Sequence, residues 1–259
     1  MSIHPTAIVD PDADISPDAE IGPYCIVGSG VTVGARTRLL AHVYLEGKLT
    51  IGKDNTFYPY CSCGVAPQDK KYKGEPSETR IGDRNSIREF VTIHRGTEGG
   101  GMVTFIGDGN LVMAYVHVAH DVIIHNHAIL ANGVTFAGHV TVDSYANIGG
   151  LSAIHQFCRI GCHAMVGSYS VIKRDVLPYS ITASNHQAEV FGANRIGLER
   201  SGFSPEAIEP LQNAFRILTR AGLNTTQAVA RIEEEVPATT EIKALLDFIR
   251  ASANRGFVK

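Results

Sequence analysis

The sequence predicts an all-β solenoid of hexapeptide repeats, a parallel β-helix, followed by a small C-terminal helical domain. Three observations predict it. An apolar residue recurs at every sixth position over most of the chain, glycine and small residues sit at fixed offsets from those stops, and helical spacing takes over past Pro178. Composition agrees: 44% of the 259 residues are hydrophobic and 19% charged, which excludes a disordered or fibrous chain. A net charge of -3 with no block of like charge excludes nucleic-acid wrapping as the main task. With no Trp, 7% aromatics and 26 glycines, the core must be built from small aliphatic residues.

The repeat begins at Ile3 and steps through Val9, Ile15, Ile21 and onward to Phe57 and Cys63. It resumes at Ile81, Ile87 and Ile93, shifts by one residue, and runs through twelve further stops from Ile106 to Ile172. At this composition twelve consecutive apolar hits arise by chance roughly once in twenty thousand trials. Six is neither a helical period nor the two of a simple amphipathic strand, so the chain must turn a corner at each repeat. Glycine after the stop (Gly22, Gly28, Gly34) and small or β-branched residues four places on (Ala7, Ala13, Val134) fit short strands alternating with tight turns. Two insertions interrupt the rhythm: 64–80, GVAPQDKKYKGEPSETR, and 95–101, RGTEGGG, the second expected to be mobile.

Residues 1–178 therefore form the solenoid domain and residues 179–259 a linker and helical domain. Ser204-Pro205-Glu206 reads as an N-cap, an N1 proline and a first-turn acid, after which Ile208, Leu211, Phe215 and Leu218 share one face up to Gly222. Pro210 is expected to kink that helix. A second helix starts after Thr225 and runs toward Val236, and a third carries Ile242, Leu245, Leu246 and Ile249.

The N-terminal segment has no basic and apolar leader, and the five cysteines (Cys25, Cys61, Cys63, Cys158, Cys162) are odd in number and scattered. A reducing, cytoplasmic setting is the expectation. No run approaches the roughly 20 apolar residues of a membrane span, so no stable membrane insertion is expected. Neither Cys61-x-Cys63 nor Cys158-x3-Cys162 has the pairing of a zinc ribbon, and no metal is expected.

Nine of eleven histidines lie between His94 and His186. If three six-residue repeats make an 18-residue coil, residues 18 apart stack. His120, Gly138 and Gln156 then form one column, Ala119, Ala137 and His155 the next, and Asp121 sits below His139. A histidine, an adjacent carboxylate and a backbone position free of side chain suit acyl transfer to a hydroxyl: base, orienting acid and oxyanion donor. There is no G-x-S-x-G elbow, so direct transfer is preferred to an acyl-enzyme. The rival readings are a zinc hydratase using His117-x2-His120 with His139, and a non-enzymatic scaffold. His4, His42, His125, His127 and His163 are expected to be solvated surface residues.

Longer strings narrow the choice. QDKKYKGEP (68–76), IREFVTIHRGT (87–97), HVAHD (117–121), AGHV (137–140), AIHQFCRIG (153–161) and GFSPEAI (202–208) together closely resemble the UDP-N-acetylglucosamine O-acyltransferases that open lipid A biosynthesis, over essentially the whole chain. The resemblance implies a left-handed β-helix. It implies transfer of an (R)-3-hydroxyacyl group from acyl carrier protein to the 3-hydroxyl of UDP-N-acetylglucosamine, with no cofactor beyond the donor's own phosphopantetheine. It also implies His120 as general base, Asp121 as its orienting acid and the Gly138 N–H as oxyanion donor. Gln68, Asp69, Lys71, His94, His117, His139, His155 and Gln156 would line the cleft, and Asn194 and Arg200 would reach the nucleotide. A homotrimer with sites between subunits is implied, as is a basic landing surface for the acidic carrier, for which Arg195, Arg200, Arg216, Arg220, Lys70, Lys71 and Lys73 are candidates.

Three departures stand out. Ser168 replaces a glycine at the end of the acyl groove and is expected to shorten the preferred chain. The segment 185–194, NHQAEVFGAN, is one residue longer than the pattern, with Ile196 where a glutamate is expected. Ser201 replaces the second arginine of an Arg-Arg-Gly-Phe string. An acceptor bearing a 3-amino group remains an alternative to the 3-hydroxyl.

Overall fold

The computed structural model describes residues 2–184, 188–252 and 256–259. Part of the 185–194 segment, and His186 with it, lies outside the described residues. Short parallel strands, most of them two residues long, deal themselves in turn onto three sheets, so each circuit of the chain adds one strand to every face. Where nothing intervenes the register offset is 18 residues, as in Ile3↔Ile21 and Val118↔Phe136. The first insertion raises it to 30 (Lys48↔Glu78) and the second gives 25 (Glu78↔Val103). Both loops therefore bulge from the solenoid without breaking its sheets.

The apolar stops point inward, and those from Ile21 to Ile172 are almost wholly buried, as are the small residues two places before them, such as Cys25, Val43, Val116 and Val134. Polar groups at one interior corner satisfy themselves in a ladder. The Asn85 N–H donates to Asn55 Oδ1, the Asn110 N–H to Asn85 Oδ1 and the Ala128 N–H to Asn110 Oδ1, at 2.7–2.8 Å. All five cysteines are free thiols.

Sharp turns place non-glycine residues in the left-handed region, at a cost of order 1 kcal/mol each. Many are aromatic and stack along the axis. Tyr24, His42, Tyr60, Phe90 and Tyr115 form a ladder with centroids 4.9–5.1 Å apart, and His127, Tyr145, His163 and Tyr179 form a second. His42, His127 and His163 are thus stacking residues and not merely solvated ones, and burial lowers the pKa of His163.

Past Pro178 the first new element is not a helix. Ser180–Ser184 joins the first sheet in parallel (Met165↔Ile181) and then pairs antiparallel with Ala188–Ala193. Among the described residues four helices follow: α1 (Arg195–Arg200), α2 (Pro205–Arg220), α3 (Thr225–Glu235) and α4 (Thr240–Ala251). Pro210 lies inside α2 without interrupting it, because the carbonyl that loses its partner belongs to the exposed Glu206 of the first turn. Asn224 and Gln227 close a capping box on α3. The C-terminal segment docks on the last coil through Asp175, whose carboxylate accepts from the Arg159 N–H (2.9 Å) and the Ser252 hydroxyl (2.7 Å). No described helix is long and apolar enough to cross a membrane.

Candidate active site

Four successive strands of one sheet build the site: His117–Val118, Thr135–Phe136, Ala153–Ile154 and Val171–Ile172, paired in register. The residues just after each strand turn the corner. His120, Gly138, Gln156 and Arg174 consequently stack, as do Ala119, Ala137, His155 and Lys173. A Cβ on Gly138 would lie 2.5 Å from His120 Cε1, so only glycine leaves room for this imidazole.

Asp121 is the most constrained residue of the group. It is buried, at φ 59°, and its backbone N–H donates to Thr104 Oγ1 at 2.8 Å. One carboxylate oxygen accepts from the Thr97 N–H (2.8 Å). The other meets the Thr97 hydroxyl (2.5 Å) and His120 Nδ1 (2.8 Å), with His139 Nδ1 at 3.8 Å. Thr97 comes from the loop expected to be mobile, and it is buried here against the carboxylate. A Cβ on Gly100 would fall 1.9 Å from Asp121 Cγ, so glycine lets this loop close over the acid. The two loops also tie to each other. Arg95 donates to the Tyr72 hydroxyl and the Gly64 carbonyl, and Glu75 Oε1 accepts from the Glu98 N–H.

Above this corner lies a cavity of about 410 Å³ lined by Gln68, His94, His117, His120, Gly138, His155 and Lys173, with an apolar strip of Ala119, Ala137, Ala153, Ile154 and Val171. Burial holds His94 down, to about 4, with His117 and His120 opposing its charge further. Burial lowers His117 and His139 as well, although the Asp121 carboxylate partly offsets this for His139. His117 Nδ1 engages Thr92 Oγ1 at 2.8 Å, whereas His94 Nδ1 is buried with no partner among the described residues. His94 is thus a neutral imidazole at pH 7.

The candidate residues do not all converge. His120, Gly138, His94, His117, His155 and Gln68 line the cavity, Asp121 and His139 stand against the His120 ring outside that lining, Gln156 extends the His120 column, and Asp69 and Lys71 sit on the loop that carries Gln68. Asn194 instead caps α1 and donates to the His163 carbonyl, and Arg200 is exposed in the last turn of α1. Ser168 is exposed at a turn against Gly149 and does not line this cavity. Ile196 is exposed, and Ser201 folds back onto the Gly197 carbonyl. Among the described residues, the group with metal-ligating spacing is His120, Asp121 and His139, without His117.

Thr97 and Thr104 were missed by the sequence reading. The string HRGT was visible, but its reach to Asp121 depends on a coil whose register is offset by the insertion.

A model of the second domain of UDP-N-acetylglucosamine O-acyltransferases matches residues 175–258, and bacterial transferase hexapeptide repeats match 1–35 and 104–138. Solved structures align over the whole chain. LpxA from Acinetobacter baumannii is 43% identical with TM-score 0.94 over 99% of both chains. The UDP-N-acetylglucosamine O-acyltransferase from Moraxella catarrhalis is 43% identical with TM-score 0.94 over 100% of both. The UDP-N-acetylglucosamine acyltransferase from Bacteroides fragilis is 41% identical with TM-score 0.96, over 99% of this chain and 100% of that one. The solenoid is a left-handed parallel β-helix. On the full-length likeness and the matching second domain, the chain belongs to the family of UDP-N-acetylglucosamine O-acyltransferases.

Proposed function

We propose that the protein transfers an (R)-3-hydroxyacyl group from acyl carrier protein to the 3-hydroxyl of UDP-N-acetylglucosamine, the first step of lipid A biosynthesis, by direct attack with His120 as base. The observation that carries this reading is the His120–Asp121 pair beside Gly138. With Nδ1–H donated to Asp121, His120 keeps its Nε2 lone pair for the cavity. Nε2 takes the proton of the 3-hydroxyl as that oxygen attacks the thioester carbon. The Gly138 N–H, which meets no acceptor among the described residues, faces the developing oxyanion. Collapse breaks the C–S bond, and the thiolate recovers the proton from Nε2–H, giving free carrier thiol and ester.

No acyl-enzyme is needed. Among the described residues no serine or cysteine lines the cavity; four cysteines are buried, and Cys162 is half-buried elsewhere. A cofactor other than the donor's phosphopantetheine is likewise not required. A metal on His120, Asp121 and His139 is the less favoured reading, because both Asp121 oxygens already accept hydrogen bonds. The apolar strip suits an acyl chain; Ser168, larger than glycine but off this chain's own cavity, shortens the preferred chain only where a neighbouring copy carries the groove to it. Gln68, Asp69, Lys71, His94, His117, His139, His155 and Gln156 are the acceptor-side contacts. Asn194 and Arg200 stand away from this chain's own cavity, which fits a homotrimer in which a neighbouring copy completes the nucleotide end. Arg195, Arg200, Arg216, Arg220, Lys70, Lys71 and Lys73 are exposed and suit an acidic carrier in the cytoplasm.

Mass spectrometry of UDP-N-acetylglucosamine after incubation with the protein and a ladder of 3-hydroxyacyl carrier proteins tests the reading. One O-linked adduct, biased toward shorter chains and undiminished by EDTA, is expected. An adduct only on a 3-amino acceptor would replace the acceptor assigned here, and loss of transfer in EDTA would restore the metal.

A further inference from the structure

Resting on the function proposed above, a second feature at the far end of the cleft has a chemical identity of its own. Val171 and Ile172 stack in register on Ala153 and Ile154, so Lys173 and Arg174 continue the columns of His155 and Gln156 by one coil. Val171 and Lys173 line both the His120 cavity and a second one of about 600 Å³. Arg174, Ala188, Glu189, Val258 and Lys259 complete the second lining. Among the described residues, Lys173, Arg174 and Lys259 share this lining with Glu189. Lys259 is held there because Val258 donates to the Asp175 carbonyl (2.9 Å) and the Asp175 N–H to the Gly256 carbonyl (3.2 Å). The upper cavity is lined by imidazoles; the lower one carries lysine and arginine side chains.

We propose that Lys173 and Arg174, assisted by Lys259, form a phosphate-binding subsite that takes the phosphate of the carrier's phosphopantetheine arm. Reach selects this phosphate over the nucleotide's. Arg174 lies three coils beyond His120, about 14 Å along the axis at the usual strand spacing. About thirteen bonds separate the thioester sulfur from the phosphorus of the arm, roughly 15 Å when extended at the per-bond reach of a polypeptide. From the attacked 3-hydroxyl to the first phosphate of the sugar nucleotide there are about five bonds, roughly 6 Å, which falls short by more than a coil.

The test compares KM for an acyl-phosphopantetheine donor with KM for the same acyl-pantetheine lacking the phosphate. Wild-type protein should favour the phosphorylated donor by about tenfold, the yield of a charge-assisted phosphate contact. Lys173→Ala with Arg174→Ala should bring that ratio close to one, and Lys173→Arg should preserve it. Unfolding midpoints check that the exposed substitutions leave the fold intact, and Arg174→Gln serves if the double variant is unstable. A ratio unchanged in the folded variants overturns the subsite. So does a rise in KM for UDP-N-acetylglucosamine at an unchanged donor ratio, which would give the cations to the nucleotide. Should wild-type protein transfer from neither donor, the proposed function fails and the subsite is decided by equilibrium binding of free phosphopantetheine and pantetheine. Phosphate-dependent binding lost in the variants supports it, and equal binding of the two ligands overturns it.

Discussion

Two corners of the same solenoid adopt the same backbone conformation for different ends. At one, Tyr24, His42, Tyr60, Phe90 and Tyr115 sit at φ between 52° and 67° and stack their rings coil upon coil. At the other, Asp121, His139 and Phe157 sit at φ 59–64°, yet only His139 and Phe157 stack, at 4.4 Å. The third place is filled by a carboxylate fixed by Thr97 and bonded to His120. In the first corner the neighbouring rings offset the cost of the left-handed turn. In the second, a loop inserted into the repeat does so. A repeat becomes a site where an insertion replaces the next identical residue as the partner of a strained position.

Substitutions that separate the corners should separate activity from stability. His120→Ala removes the base and should lower acyl transfer by ~10²- to 10⁴-fold with little change in unfolding midpoint, read by initial rates and thermal melts. Thr97→Val strips the hydroxyl hydrogen bond from the carboxylate, keeps the backbone N–H one, and does not touch the cavity. Its kcat should fall by roughly 10- to 100-fold, at about 1.5–3 kcal/mol for bonds to a charged group, with KM for both substrates nearly unchanged. A matched rise in KM would mean that Thr97 shapes the binding surface and does not position the acid.

His94 gives the cleft a pH signature. His94 is depressed to about 4 in the folded protein, against about 6.5 unfolded, so the unfolded state binds the proton more readily. Its contribution is intact above pH 6.5 and is lost as pH falls through 4, on the order of 3 kcal/mol. Urea unfolding of His94→Gln against wild type over that window should show a flatter pH dependence. The smallest effect belongs to the other corner. Tyr60→Ala breaks two stacked contacts and should cost about 1–2 kcal/mol of stability while leaving transfer rates as they were.

The two corners were not equally legible in the sequence. The apolar stops could be read because burial along the axis imposes period six on residue type, and the helices because Ser204-Pro205-Glu206 and the Ile208-to-Leu218 face carry their own signals. The His120, Gly138 and Gln156 column followed from the 18-residue offset, which holds from Phe105↔Ile123 to Ala153↔Val171. The contact of Thr97 with Asp121 could not follow, since it crosses a register set by the insertion. The hairpin of Ser180–Ser184 with Ala188–Ala193 was missed because its pairing is carried by backbone groups after the six-residue rhythm has ended. His42 and His163 look solvated as single turn residues, although the same 18-residue offset sets His42 between Tyr24 and Tyr60 and His163 against Tyr145.

The central claim, that the loop-pinned corner supplies the base for transfer, is tested most directly by the single-turnover rate of acyl transfer in His120→Ala at saturating donor and acceptor. A fall of at least about 100-fold in a protein that melts with the wild type is the predicted result. A rate within a few fold of wild type would contradict it and move the base to another residue of the cleft.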